Sequence, residues 1–289
     1  MRVARFLAPG ASTPSAGLID ENDNVAEVAG ADGNVSTLLL LDDAGLKQIA
    51  STALSTYKLD DVRLLAPVGK PGKILALAGN YHPHSTDSDV DVDVNIPKFF
   101  IKPFTALIGP DDVIPHQKTA TINNVEEIEL GVVIGKPGKD ISQADAFDHV
   151  FGYTIMNDFS GRDLRLNAGR DPAGHWFEWL NGKWLDGYSP VGPWIVPASE
   201  VGDPNNLRVT TKINGDIRVD GNTSRLLYDI PRQIAYISML CTLQPGDLIA
   251  TGVVPLPDGT TDEVFIQPGD VIEGVVENVG TLRNTVAKA

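Results

Sequence analysis

Apolar residues fall in short runs or alternate with polar ones along most of the chain, and this spacing predicts strands more often than helices. Val3–Leu7 and Ser15–Ile19 read as strands, with a turn at Asp20–Asn24. Asp42–Thr56 carries Leu46, Ile49 and Leu54 at helical spacing. Lys73–Ala78, Lys98–Lys102 before Pro103, Glu127–Ile134 and Gly152–Asn157 read as further strands, the third ended by Gly135-Lys136-Pro137-Gly138. Ser142 and Asp145 have capping-box spacing, which predicts a short helix over Ser142–Val150. A second helix is expected at Pro231–Leu243, with proline in its first turn and Ile234, Ile237 and Leu240 along one side. The string Gln-Pro-Gly-Asp occurs at Gln244–Asp247 and again at Gln267–Asp270, each time before a strand-like run. Proline then glycine at its centre predicts a turn with positive φ at the glycine.

This pattern indicates a β-rich, mixed α+β fold. The punctuation Pro67-Val68-Gly69-Lys70-Pro71-Gly72 divides it into a small N-terminal α+β module, 1–66, and a larger strand-rich domain, 67–289. Asp87–Val94, where acids alternate with valine, reads as a loop or lid. Arg170–Trp184, with Trp176, Trp179 and Trp184, reads as an aromatic-rich substrate or dimer loop, with core packing the alternative for each tryptophan.

Composition narrows the function classes. Among 289 residues, 38 acidic against 23 basic side chains give a formal net charge of −15, which repels phosphate backbones and anionic lipid. Nucleic-acid and membrane partners are therefore not expected. The single cysteine, Cys241, cannot form an internal disulfide and is read as a small core residue. Met1–Leu7 lacks the apolar core of a signal peptide, and no apolar run reaches about 18 residues, so a cytoplasmic location is expected.

Three acids carry the sharpest chemistry. Strand side chains alternate faces, so Glu127 and Glu129 share one side while Ile128, Leu130, Val132 and Ile134 pack on the other. Two carboxylates on a buried face repel one another, and a divalent cation between them removes that cost. Read from the strand alone, a solvent-facing edge strand with two ordinary surface acids explains the pair slightly better. Asp158, at the end of the next apolar run, would complete three oxygen ligands if the two strands are neighbours; a helix or turn cap is its other reading. All-oxygen ligation indicates Mg²⁺, Mn²⁺ or Ca²⁺, and the scattered histidines match no zinc spacing. Upstream, Gly79-Asn80-Tyr81-His82-Pro83-His84-Ser85-Thr86-Asp87 follows a strand directly. A histidine with a carboxylate three residues on can activate water. Spacing alone does not choose between His82 and His84.

Taken together, these segments resemble the fumarylacetoacetate hydrolase family, in its acylpyruvase and 2-hydroxyhepta-2,4-diene-1,7-dioate isomerase-like branch. The likeness rests on Asn80-Tyr81 with His84, Phe99–Pro103, Glu127–Leu130 with Val133-Ile134-Gly135, and Asn157-Asp158 with Ser160 and Arg162-Asp163. It continues through Gly182-Lys183, Gly192-Pro193-Trp194, Asn214-Gly215, Pro245-Gly246-Asp247 and Thr251-Gly252. The resemblance implies a β-roll of mixed sheets, a homodimer, and Mg²⁺ or Mn²⁺ held by Glu127, Glu129 and Asp158. It also implies catalytic roles for His84, Asp87 and Lys183, and substrate contacts from Tyr81, Lys102, Arg162, Arg165 and Thr251. The expected reaction is hydrolysis of a carbon–carbon bond in a small 2,4-dioxo acid. The same scaffold also hosts isomerases, decarboxylases and sugar-acid dehydratases, and a non-catalytic binding module is a more distant alternative.

Three positions depart from the family pattern. Asp87 stands where glutamate is usual, Val253 where a substrate-binding threonine is usual, and Arg165 where glutamine is common. An arginine at 165 could bind a second substrate carboxylate or pair with surface acids.

Overall fold

The computed structural model describes residues 1–28, 33–82, 96–117, 123–162, 164, 175–256 and 264–288, with no side-chain description at 175 and 176. Among these residues the protein is β-rich, as expected, with mixed sheets and few helices. The larger sheet has twelve strands. Its main path runs Thr56–Lys58, Asn24–Glu27, Ser15–Ile19, Arg2–Leu7, Ser189–Pro197, Val150–Asn157, Ile128–Ile134, Leu248–Ala250, Ile74–Ala78 and Lys98–Lys102. Leu248–Ala250 pairs antiparallel with Ile128–Ile134 and parallel with Ile74–Ala78, which makes the sheet mixed. A five-stranded sheet, ordered Asp216–Asn222, Arg208–Ile213, Val271–Val276, Gly280–Val286 and Val113–Ile114, supplies the opposing layer.

The alternation along Ile128–Ile134 explains the packing of the two layers. Ile128, Leu130, Val132 and Ile134 share one core with Val209, Ile272, Val276 and Leu282 of the smaller sheet. Val133 points the other way, into a second core with Leu18, Ile195 and Ala250. The Ile128–Ile134 strand is thus buried on both faces, and any polar side chain it carries is forced inside. The first strand of the N-terminal module pairs with a strand of the larger region, Val3 opposite Ile195, so hydrogen bonding crosses the division at Pro67.

Several local expectations change. The capping-box side chain forms, with the Asp145 amide donating to Ser142 Oγ at 3.2 Å, but only a 3-10 turn at Ala146–His149 follows. The His149 carbonyl accepts from the Gly135 amide at 2.9 Å, and the chain enters a strand at Val150. Sheet pairing therefore overrides the local helix signal. The first helix is also shorter than its periodicity, Asp43–Ala50 capped by Asp42, because Thr56 is drawn into a strand. The Pro231–Leu243 expectation becomes Ile230–Leu240, capped by Asp229, with Ile234 and Ile237 buried and Leu240 exposed. Within the expected aromatic loop, His175–Asn181 is helical. Cys241 is partly buried against the main core. Both Gln-Pro-Gly-Asp turns carry the expected left-handed glycine, Gly246 at φ 86° and Gly269 at φ 91°. No helix among the described residues is long and apolar enough to cross a membrane.

Candidate metal centre

The antiparallel register of Ile128 opposite Asn157 brings the start of one strand beside the end of the next. Glu127 lies one residue before the first strand, and Asp158 one residue after the second. Two bonds clamp this junction. The Glu127 amide donates to Asn157 Oδ1 at 3.0 Å, and the Asp158 amide donates to the Glu127 carbonyl at 2.8 Å. Oxygens of Glu127, Glu129 and Asp158 then lie within 4.8 Å of one another. Glu129 and Asp158 are 1% and 2% exposed, so water does little to screen their repulsion.

Cations surround only part of this cluster. Lys183, itself 1% exposed, donates from Nζ to Glu127 Oε2 and to Asp158 Oδ2, both at 2.7 Å. Lys102 bonds Asp158 Oδ1 and donates to the Tyr188 carbonyl at 2.8 Å. Arg162 Nη2 donates to Glu127 Oε1 at 3.1 Å. Glu129 receives the Gly252 amide on Oε2 at 2.5 Å, while its Oε1 is buried without a partner.

The electrostatics divide accordingly. Burial, together with Asp158 and Glu127, pushes the Glu129 carboxyl well above the usual carboxylate range. Asp158 is held below that range: burial opposes its charge, but Lys102 and Lys183 outweigh the burial. Lys183 is raised above the ordinary lysine value because Asp158 and Glu127 overcome its desolvation. Lys102 is lowered, chiefly by burial. A divalent cation fits this arrangement, since three oxygens converge and one of them, Glu129 Oε1, lacks any donor.

The structure brings together Glu127, Glu129, Asp158, Lys183, Lys102 and Arg162. Tyr81 also faces this region: its hydroxyl is buried without a partner, and burial and the Glu129 charge raise its pKa. Thr251 is placed differently. Its hydroxyl donates to the Leu130 carbonyl at 3.0 Å, and its own carbonyl accepts from Asn80 Nδ2 at 2.7 Å. His84, Asp87 and Arg165 lie outside the described residues. Sequence reasoning assigned no role to Asn80 or Gly252, which act as a pair. Asn80 anchors the chain at Thr251, and Gly252, at φ 108°, aims its amide at Glu129. A side chain at Gly252 would place its Cβ 2.8 Å from that of Asn80. The sequence signal for such a position is only a glycine shortly after a strand, which many turns share.

A family model for the fumarylacetoacetate (FAA) hydrolase C-terminal region matches residues 73–287, and an Rv2993c-like N-terminal model matches 1–67. The chain belongs to the fumarylacetoacetate hydrolase family. It is similar to the oxaloacetate tautomerase YisK of Bacillus subtilis, with 37% identity over 233 residues covering 80% of this chain and 75% of that protein. The 2,4-didehydro-3-deoxy-L-rhamnonate hydrolase of Sphingomonas sp. is 33% identical over 290 residues, covering 100% of this chain and 96% of its own. Among solved structures, the maleylpyruvate hydrolase of Sphingobium sp. SYK-6 in complex with manganese(II) and pyruvate superposes with a TM-score of 0.77, at 32% identity and full coverage of both chains.

Proposed function

We propose that the protein is a divalent-metal-dependent hydrolase of a carbon–carbon bond in a small 2,4-dioxo acid. The observation that carries this reading is the convergence of three buried acids with Lys183, beside the donor-less Glu129 Oε1. Glu127, Glu129 and Asp158 would hold Mg²⁺ or Mn²⁺, which supplies Lewis-acid polarisation of a 2-oxo oxygen when bound. Lys183 stays protonated because two carboxylates face it, so a fixed ammonium stands where negative charge develops as the bond breaks. Lys102 and Arg162 hold Asp158 and Glu127 in place and limit their rotation. Tyr81 offers a hydroxyl with no competing partner. In this reading His84, with Asp87, takes the proton from attacking water.

A tautomerase or isomerase is the second reading, favoured by the likeness to the oxaloacetate tautomerase at 37% identity. Proton movement alongside a stabilised enolate needs Lys183 and the acids but no water-activating pair. A panel of acylpyruvates, fumarylpyruvate, oxaloacetate and 2,4-diketo-3-deoxy sugar acids with Mg²⁺ or Mn²⁺ separates the two. Pyruvate plus a second acid, lost in both Glu127→Ala and His84→Ala, supports the hydrolase. Enol–keto interconversion without cleavage, surviving His84→Ala, supports the tautomerase. A homodimer belongs to the same proposal, and light scattering would check it.

A further inference from the structure

A cavity of about 140 Å³ opens beside the three-acid cluster. Glu127 stands on its wall, and so does Val253, the residue directly after the Gly252 amide that holds Glu129. Its polar edge is built from two facing pairs. Arg162 reaches Glu127 at 3.1 Å, and Arg218 Nε lies 2.9 Å from Glu126 Oε1. Both members of the second pair are largely buried, with side chains 13% and 3% exposed. Glu126 and Glu127 are neighbours between two strands: Glu126 faces Arg218 of the smaller sheet while Glu127 enters the acid cluster. The rest of the wall is mainly apolar, with Val219, Val253, Val254 and Leu256, and Thr211 adds one hydroxyl-bearing side chain.

We infer that this cavity seats the far end of the substrate and selects a short, uncharged aliphatic tail over a second carboxylate; the inference rests on the 2,4-dioxo acid reading above. Charge is the first reason. The described groups of the centre and cavity are four carboxylates (Glu126, Glu127, Glu129, Asp158) and four cations (Lys102, Lys183, Arg162, Arg218), with zero formal charge between them. A divalent cation leaves an excess of two positive charges, which the carboxylate and enolate oxygen of one pyruvate enolate cancel. Among the described residues, a second carboxylate would enter a neutral, poorly solvated space where both Arg162 and Arg218 already face an acid. Chemistry of the wall is the second reason. At position 253 the side chain is an isopropyl group with no hydroxyl to offer a tail oxygen, and Val254 and Leu256 extend that apolar surface.

Two probes of equal chain length isolate the effect. 2-Oxohexanoate and 2-oxoadipate differ only in the terminal group, and both carry the pyruvoyl end. Calorimetric titration into the Mn²⁺-loaded protein is expected to show 2-oxohexanoate binding at least about 10-fold tighter. Leu256→Arg, at a partly exposed position, should narrow or reverse that ratio while leaving Mn²⁺ affinity unchanged. Tighter or equal binding of 2-oxoadipate by the wild type would overturn the inference, as would failure of both acids to bind a Mn²⁺-loaded protein. Pyruvate release from acetylpyruvate tests the parent reading separately. A binding preference without pyruvate release would leave the subsite standing and remove the hydrolase. Cleavage with a preference for fumarylpyruvate would do the opposite.

Discussion

Asp158 and Glu129 are both buried carboxylates, with oxygens no more than 4.8 Å apart, yet their surroundings push them in opposite directions. Asp158 is gripped by two ammonium groups and keeps its charge despite burial. Glu129 meets one backbone amide and two like charges, and its charge is disfavoured. Fixed cations thus neutralise one side of the site, and the other side could take a divalent cation. A closed structural ion-pair network would lack that asymmetry, with each buried carboxylate matched by a fixed cation.

Removing Lys183 should break the comparison most severely. Lys183→Met leaves Glu127 and Asp158 facing each other with their shared partner gone, a change of about 3–5 kcal/mol for a broken buried pair. Turnover of any accepted 2-oxo acid should fall about 10²–10³-fold, as for loss of a fixed electrostatic donor. Chemical denaturation and steady-state rates check the two effects. Full activity in Lys183→Met would remove the lysine from the mechanism.

How far this asymmetry was legible in the sequence depends on distance along the chain. Glu127 and Glu129 share a face by strand alternation, and Asp158 follows from the next strand being its neighbour, so the three acids could be brought together from local pattern. Their partners could not. The resemblance implies a substrate contact for Lys102, but nothing in local spacing shows that this buried residue shares its ammonium between Asp158 and two backbone carbonyls. Arg218 lies on the other sheet, and no local spacing links it to Glu126. The helix at His175–Asn181 is not legible in the sequence, because its tryptophans make no amphipathic stripe. Trp179 packs edge-on against Phe100 at 5.1 Å, and Trp184 stays 44% exposed with its Nε1 donating to the Ile101 carbonyl at 2.8 Å. Long-range ion pairs, set by sheet packing, were the illegible part.

A smaller effect sharpens the contrast through pH. Glu129 has a folded pKa raised above its unfolded value, so its contribution to stability is full below the unfolded carboxylate range and is lost as pH rises through the raised value. Asp158 has a lowered folded pKa, so its contribution is present above the usual range and is lost as pH falls through the lowered value. Thermal melts of chelator-treated protein should therefore lose Tm upward of the ordinary carboxylate range, and Glu129→Gln should flatten that limb. Added Mn²⁺ should restore Tm at the higher pH in the wild type. In Glu129→Gln, Mn²⁺ affinity should be weaker by about 100-fold, because an anionic ligand has become a neutral one. An unchanged high-pH limb in Glu129→Gln would mean that another group sets it.

The smallest effect is expected at an ion pair whose geometry looks better than any in the centre. Arg208 forks onto Asp220 with Nε at 2.8 Å and Nη2 at 2.5 Å, and its bonds lower the Asp220 pKa. Yet the side chains are 62% and 41% exposed, and water solvates each partner when the other is removed. Arg208→Ala should leave Tm, Mn²⁺ affinity and turnover within measurement error. Short distances occur in both places. What differs is whether water can replace the lost partner, and at Lys183 and Glu129 burial prevents it.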